Sequence, residues 1–446
     1  MDYQTHIDNL QKPAVAFAKK AIDFLDGDQQ QHMIDLLNTD GIGIKKWRER
    51  GVMVLWENIT NKIIDKSSQT YQTDPERVIP DDEAATEAYK NVLHQSNFSE
   101  VSEDIDQLSR LLKMAAVIVQ YSEETGSLFF EQLTRANSDI DYNRVTGEVI
   151  SCLYRTSGTG ESGGDLYRYW TVEEVIMLEM DKSGQAKEVS NEDNTYKIVP
   201  LAILFDIKPP RYGIYAKPSY EQLILLNEAV NMFHIEAKFN QRSQAFGTLF
   251  TNAIIPAGTV FGPDAVVKIE SQGLDEPTFV EYRSPSIAGN IEAFLDWLRA
   301  LIIAVGDEWG VNIKAGGVGS ADSGFKLVVE ELPTLQLRKK RQKPAASFEQ
   351  SLFTVVKAIS DTVGLGVTGD EVTVSFPAPD LPVDTQGQWL VNSGEIAMKL
   401  KSREQYIKEK YPEWTADQVD EYLAEIDSGA AALPDFSGLA DDNPAT

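Results

Sequence analysis

AGGVGSADSG, Ala315 to Gly324, is the stretch on which the reading of this chain turns. It follows AGNIEAFLDWLRALIIAVGDEWG, a helical pattern that begins near Ser286 and stops at Gly310. It precedes a second helical segment, from near Phe325 to about Thr362. A glycine-rich turn between regular elements suggests a phosphate cradle, but a P-loop needs a strand before it and a Lys followed by Ser or Thr. Here the preceding segment is helical, and Lys326 is followed by Leu327. The stretch therefore reads as a loop of small side chains. Gly316, Gly317, Gly319 and Gly324 give it backbone freedom, Ser320 and Ser323 lie among them, and Lys314 and Lys326 flank it. An ordinary flexible connector is the plain alternative.

Working outward, SYEQLILLNEAVNMFHIEAKFNQRSQAF (219–246) predicts a long helix with Ser219 as N-cap. The residues up to about 286 read as short strands and turns. After the loop, Pro333 and Pro344 are expected to kink or break the helical segment. A short strand is expected in EVTVSFPAPDLPVD (371–384) and helices over 385–414 and in TADQVDEYLAEIDS. Thr415 and Gln418 form a capping box for the last. The residues 431–446 are predicted to be a disordered acidic tail. Toward the N-terminus, helices are expected over 13–27, 54–71 and 103–124, the last with Ile105, Leu108, Leu111, Leu112, Ala115 and Ala116 facing a core. EVISCLYRT (148–156), residues 165–181 and residues 195–207 predict an antiparallel sheet. The fold class is α+β.

The 446 residues carry 69 acidic against 41 basic side chains, a formal charge of −28. A specific DNA binder shows a net basic face. This chain either never meets DNA or meets it without holding it. The single cysteine, Cys152, excludes an internal disulfide and reads as a small core residue. His6, His32, His94 and His234 are scattered with no Cys/His ligand spacing, so no metal and no cofactor is expected. GTGESG (158–163) fits the bare dinucleotide fingerprint but does not open a helix, and reads as a hairpin turn. Asp139, Asp141 and Asn143 have calcium-loop spacing, but Arg144 and Ile150 stand where Gly and Glu are needed, so the run reads as a solvated turn. Pairs such as Asp307/Glu308 and Glu330/Glu331 have no nucleophile or base beside them. No enzyme activity is expected. The longest apolar runs, such as LAILF (201–205), are too short to span a bilayer, and the N-terminus has no signal-peptide pattern, which predicts a soluble chain.

The order of these elements, with several local stretches, resembles the portal proteins of tailed bacteriophages. ENITNKIIDKSSQTYQTDPERV (57–78) is similar to an early portal segment in which an Asn-containing helix leads to extended chain. RYWTVEEVIMLEMD and NTYKIVPLAIL resemble the family's wing strands, with Val199-Pro200 as the hydrophobic-Pro step. DSGFKLVVEELPTLQLRKKRQKPAASFEQSLFTVVKAI resembles the segment after the tunnel loop, with Ser323-Gly324 before a long helix bearing a basic cluster. VNSGEIAMKLKSREQYIKEKYP is similar to the crown, although Ala397 stands where Ser is usual and Ser393 precedes the Gly. The resemblance runs from about 35 to 425 and leaves 79–130 unmatched.

It implies a wing (1–218), a first stem helix (219–246), a clip (247–286), a second stem helix (287–309), a tunnel loop (310–324), a kinked tunnel helix returning to the wing (325–384) and a crown (385–430). It also implies a ring of about twelve copies at one capsid vertex, passing double-stranded DNA without sequence preference. The implied partners are terminase, a head–tail connector or adaptor, and the major capsid and scaffolding proteins, with no membrane. The place is the virion, and the host cytoplasm during assembly. Lys314, the loop glycines and serines and Lys326 would touch DNA. Arg338, Lys339, Lys340, Arg341 and Lys343 would line the lumen or a subunit interface. In the clip, Pro263, Asp264, Lys268, Glu270, Asp275 and Glu276 would meet terminase and adaptor. Another head–tail protein, an adaptor or minor capsid component, is the second reading, and an enzyme with an unrecognised site the third.

Overall fold

Each N-terminal helix carries its own stop or start signal. Helix α1 spans Tyr3–Leu10 and α2 Pro13–Asp26, which opens on a proline and closes on Gly27 at φ +91°. Helix α3 covers Gln30–Thr39. In α4, Ile59–Ser67, the Asn58 side chain caps the Asn61 N–H, so this helix is shorter than the 54–71 expected. Strand β1, Glu76–Val78, leads to α5, Glu83–Gln95, capped by Asp82. Helix α6 is Phe98–Leu112. The computed structural model describes residues 3–39, 56–160, 163–180, 186–210, 213–215, 220–245, 248–251, 266–268, 279–282, 288–311, 324–377 and 402–410, with 419, 422 and 423.

The helix expected over 103–124 is corrected at Lys113. That residue adopts φ +68° and ends α6, and Met114–Ser122 is strand β2. The β-branched run AAVIVQ favours a strand. Strand β2 lies between β3, Ser127–Leu133, and β9, Leu201–Phe205, both antiparallel to it. Both of its faces are covered, so Met114 to Gln120 is buried without the alternation that marks a half-exposed strand.

A second antiparallel sheet runs in order β4 (Ser138–Tyr142), β5 (Val149–Thr159), β6 (Asp165–Thr171), β7 (Glu174–Met180) and β8 (Ala186–Asp193). Strands β5 and β6 pair antiparallel, and at their glycine-rich ends Gly160 N–H donates to Gly164 O at 2.8 Å. A Cβ on Gly164 would lie 2.0 Å from Met180 O, so the close approach of β7 explains the glycine. Asp139 and Asp141 sit in strand β4 rather than in a solvated turn; the turn is Asn143–Gly147.

Helix α7, Glu221–Ala245, and helix α8, Ala288–Glu308, bracket a three-stranded sheet of β10 (Thr248–Thr251), β11 (Val266–Lys268) and β12 (Phe279–Tyr282), in order β11-β10-β12. Helix α9 spans Gly324–Val363 and continues through Pro333 and Pro344, so of the expected kink or break, neither proline makes a break. The buried Ala345, Phe348, Leu352 and Val356 hold its later turns against α5, α6 and β2, and that burial outweighs a cost of about 3 kcal/mol per internal proline. Strand β13, Thr373–Ser375, pairs antiparallel with β1.

The chain divides into two compact units, residues 1–317 with 331–379, and residues 318–330 with 380–446. In the first, one helical core joins Phe24, Ile63, Leu111, Leu223, Val230, Leu298 and Trp309. In the second, helix α10, Arg403–Lys410, opens on a reciprocal cap: Ser402 Oγ accepts the Gln405 N–H and Gln405 Oε1 accepts the Ser402 N–H, both at 3.1 Å. The expected Thr415 cap and the 431–446 tail lie outside the described residues.

Candidate functional site at the root of the glycine-rich loop

Residues 312–323 lie outside the described residues, and with them Lys314, Gly316, Gly317, Gly319, Ser320 and Ser323. Gly324 and Lys326 fall in the first turn of α9, and no side-chain placement is described there. Of the expected clip contacts, Lys268 lies in β11, and Pro263, Asp264, Glu270, Asp275 and Glu276 lie outside the described residues.

What the structure does describe is the end of helix α8, from which the loop leaves, and the turn of α9 that meets it ten residues beyond the helix start at Gly324. Helix α8 ends in a Schellman motif: Val311 N–H donates to Gly306 O at 2.8 Å and Gly310 N–H to Asp307 O at 2.9 Å. Gly310 sits at φ +72°, the left-handed conformation this motif requires. Across the gap, Thr334 Oγ1 on α9 donates to Gly310 O at 3.1 Å. Two residues 24 apart in sequence thus meet, tying the end of α8 to the interior of α9.

A buried ionic cluster fixes that point from beneath. Arg110 on α6 donates from Nη2 to Trp309 O at 2.5 Å, from Nη1 to Asp206 Oδ2 at 2.9 Å and from Nε to Ser67 Oγ at 3.2 Å. The Trp309 ring lies under two cations, Lys113 Nζ at 3.9 Å and the Arg110 guanidinium at 4.8 Å from its centroid. Arg341 on α9 enters from the other side. It pairs with Asp106 Oδ1 at 2.9 Å and donates to Ser109 Oγ at 2.9 Å and Asp106 O at 3.1 Å. Its Nε also faces Asp206 Oδ1 at 2.9 Å, as an ion contact without hydrogen-bond alignment. Lys113 Nζ reaches Asp206 Oδ2 at 3.1 Å. Burial works to raise the Asp206 carboxyl, but Lys113, Arg110 and Arg341 overcome it and hold the group below the usual carboxylate range. Burial pushes Asp106 up, against the pull of Arg341. Burial lowers Lys113 to about 8, with Arg110 and Arg341 adding to the effect and Asp206 opposing it.

The basic run after the loop therefore divides. Arg341 and Arg338 turn inward; Arg338 donates from Nε to Gln69 O at 2.8 Å and from Nη2 to Pro377 O at 2.5 Å. Lys339, Lys340 and Lys343 are exposed. The guanidinium groups of the two arginines are thus taken up by partners within the same chain.

One constellation has no trace in the sequence spacing. His6 Nδ1 lies 2.6 Å from Asp139 Oδ2, and His6 Nε2 lies 3.1 Å from Ser151 Oγ. The order Ser–His–Asp matches a hydrolase relay. Yet His6 and Ser151 are each only 1% exposed, closed beneath α1 against β4 and β5, and Asn9 Nδ2 donates to the same Asp139 oxygen at 2.9 Å. The arrangement satisfies buried polar atoms and pins α1 to the sheet. Cys152 is buried next to Ser151, and burial pushes its thiol far up, so it is no nucleophile at neutral pH. Among the described residues no group of three or more His, Cys, Asp or Glu side chains is arranged to hold a metal, and no helix is long and apolar enough to cross a membrane.

The backbone is similar to a chain in the virion of a native gene transfer agent (GTA) particle, at 12% identity and a TM-score of 0.39, over 77% of this chain and 85% of that one. It is also similar to a chain in the neck of an empty GTA particle, computed with C6 symmetry, at 10% identity and a TM-score of 0.41, over 78% of this chain and 87% of that one. No protein-family model and no curated protein matches the chain.

Proposed function

We propose that this chain is a head–tail structural protein of a phage-like particle, and within that class a portal subunit. About twelve copies would close into a ring through heterologous contacts and pass double-stranded DNA during packaging and ejection. The observation that carries this reading is the order of helix α7, a three-stranded insert, helix α8, a glycine-rich segment and the long helix α9, which bonds back to the end of α8 through Thr334 and Gly310. A loop of small residues on a rigid root can follow a moving duplex while the ring beneath it stays fixed. The strongly acidic composition suits a conduit, because tight phosphate contacts all along the channel would act as traps. The strands between the stem helices would present the surface for terminase and adaptor. Hydrolysis of ATP would belong to the separate motor.

Light scattering with negative-stain imaging of the purified protein tests the reading. Rings of about twelve subunits with a central hole are expected. A monodisperse monomer of 49.6 kDa, unchanged on concentration, would overturn it.

A further inference from the structure

Helix α9 has an outward face unlike the rest of this acidic chain. From Leu332 to Ser360 its only carboxylate is Glu349, which is wholly buried and held by Arg77 through two bonds of 2.8 and 2.7 Å. Exposed along the same span are Gln336, Lys339, Lys340, Lys343, Ala346, Ser347, Ser351 and Thr354. Among the described residues none of the three lysines has a carboxylate partner. The two arginines of the run are withdrawn into the interior, so the exposed charge is all lysine.

We infer that this lysine face of α9 is a contact surface for the phosphate backbone of duplex nucleic acid, engaged without regard to base sequence. The inference rests on the conduit reading and deepens it, by naming a surface apart from the glycine-rich loop.

Three features favour phosphate over a protein partner. First, protein interfaces deplete lysine and need an apolar or aromatic centre. Apart from Leu332 at its start, this face has no large apolar side chain among its exposed residues. Second, lysine is a mobile point charge with no fixed fork, suited to a backbone that slides, whereas arginine would grip phosphate bidentately. Third, Lys339, Lys340 and Lys343 lie within about 6 Å along the axis at 1.5 Å per residue, inside the roughly 8 Å over which physiological salt screens. They form one local positive patch although the chain as a whole carries −28; Lys357, further along the helix, is paired with Asp370 at 3.2 Å.

The test is binding of two unrelated fluorescein-labelled 30-base-pair duplexes, followed by anisotropy across a range of KCl. The full chain is compared with the triple variant Lys339→Gln/Lys340→Gln/Lys343→Gln and with the charge-keeping triple Lys→Arg variant. The wild-type chain should bind both duplexes alike at low salt. The Gln variant should bind both more weakly, with a slope of log affinity against log salt reduced by up to roughly 2.7 per engaged subunit, at about 0.9 for each phosphate no longer neutralised. The Arg variant should keep the slope. The inference is overturned by a wild-type chain that does not bind at the lowest salt, by a Gln variant with an unchanged slope, or by one that self-associates less while the oligomers it still forms bind DNA with the wild-type slope. That last result would make the face an interface between copies. Rings whose DNA binding ignores the lysines would leave the conduit reading standing and refute this one; lysine-dependent binding by a chain that forms no ring would do the reverse.

Discussion

Replacing Arg341 by Gln separates a structural arginine from its exposed lysine neighbours. Gln keeps a polar side chain of smaller size and removes the charge. It deletes the 2.9 Å pairs to Asp106 and Asp206 and the bonds to Ser109 Oγ and Asp106 O. Asp206 keeps Arg110 and Lys113. Asp106 keeps the Thr70 N–H at 2.9 Å but is deprived of its ion pair. Removing one partner from a buried pair costs about 3–5 kcal/mol. The partners left to Asp206 place the cost at the lower end, about 3 kcal/mol. Lys340→Gln makes the same charge change one residue away on an exposed position, and should stay within about 0.5 kcal/mol.

Urea denaturation at neutral pH, compared at a common slope, reads the difference as a shift in midpoint for Arg341→Gln and almost none for Lys340→Gln. Equal midpoints would refute the buried-network account. The pH dependence gives an independent reading. Asp206 has a depressed folded pKa, so its contribution is complete above the ordinary value of 3.8 and is lost as pH falls through the lower folded value. Asp106 has a raised folded pKa and takes up its proton earlier as pH falls. In the variant it takes it up earlier still, which removes the unpaired charge. The deficit of Arg341→Gln should therefore narrow as pH falls from 7 toward 4, and a constant deficit would show that poorer packing, not charge, is responsible.

Lys113, lowered to about 8, carries a cost of its charge that is fully present below that pH. Above it the unfolded state holds the proton longer, so stability should rise with pH between about 8 and 10.5, by at most about 3–4 kcal/mol, and Lys113→Met should flatten that rise in the urea midpoint against pH. His6→Ala should loosen α1 from the sheet by about 2–4 kcal/mol, seen as faster amide exchange in β4 and β5, with no change in background hydrolysis of p-nitrophenyl acetate; ester turnover that depends on His6 would show that Ser151 is reachable after all. Gly310→Ala places a Cβ at φ +72° and 3.1 Å from Leu337 Cδ2, and should cost about 1–3 kcal/mol in the urea midpoint, whereas Gly364→Ala, also at positive φ but with nothing within 4 Å, isolates the backbone part of that cost.

Local chemistry was legible where one physical signal dominated. Helices α7 and α8 lie within about two residues of the expected bounds, because Ser219 and the glycine at 310 punctuate long apolar patterns. Strand β2 was misread because a strand covered on both faces has no period-two signature, and Leu111, Leu112, Ala115 and Ala116 then continue the helical stripe of α6 by coincidence. The ionic cluster was invisible for another reason. Arg110, Asp206 and Arg341 lie about 100 and 135 residues apart, and no spacing rule joins residues that meet only through tertiary packing. The same holds for His6, Asp139 and Ser151, drawn from a helix and two strands.

The division of the basic run illustrates what composition hides and geometry reveals. At 100° per residue, Arg338 and Arg341 fall on the same side of α9 as the buried Thr334, Ala345, Phe348 and Leu352. Lys339, Lys340 and Lys343 fall opposite. The five cations therefore have two chemistries. The inward pair is arginine, whose planar fork meets Asp106, Asp206 and backbone carbonyls in fixed directions and holds these turns of α9 against α6 and its neighbours. The outward three are lysine, whose charge is delivered without fixed geometry. A residue-type choice that follows the helix face so closely makes opposite demands on substitution: Arg341→Lys should fail to restore the network, since an ammonium cannot span Asp106, Asp206 and Ser109 together, while Lys→Arg on the outer face should be tolerated. If Arg341→Lys matched wild type in the urea midpoint, the fork would be dispensable and charge alone would anchor these turns of α9.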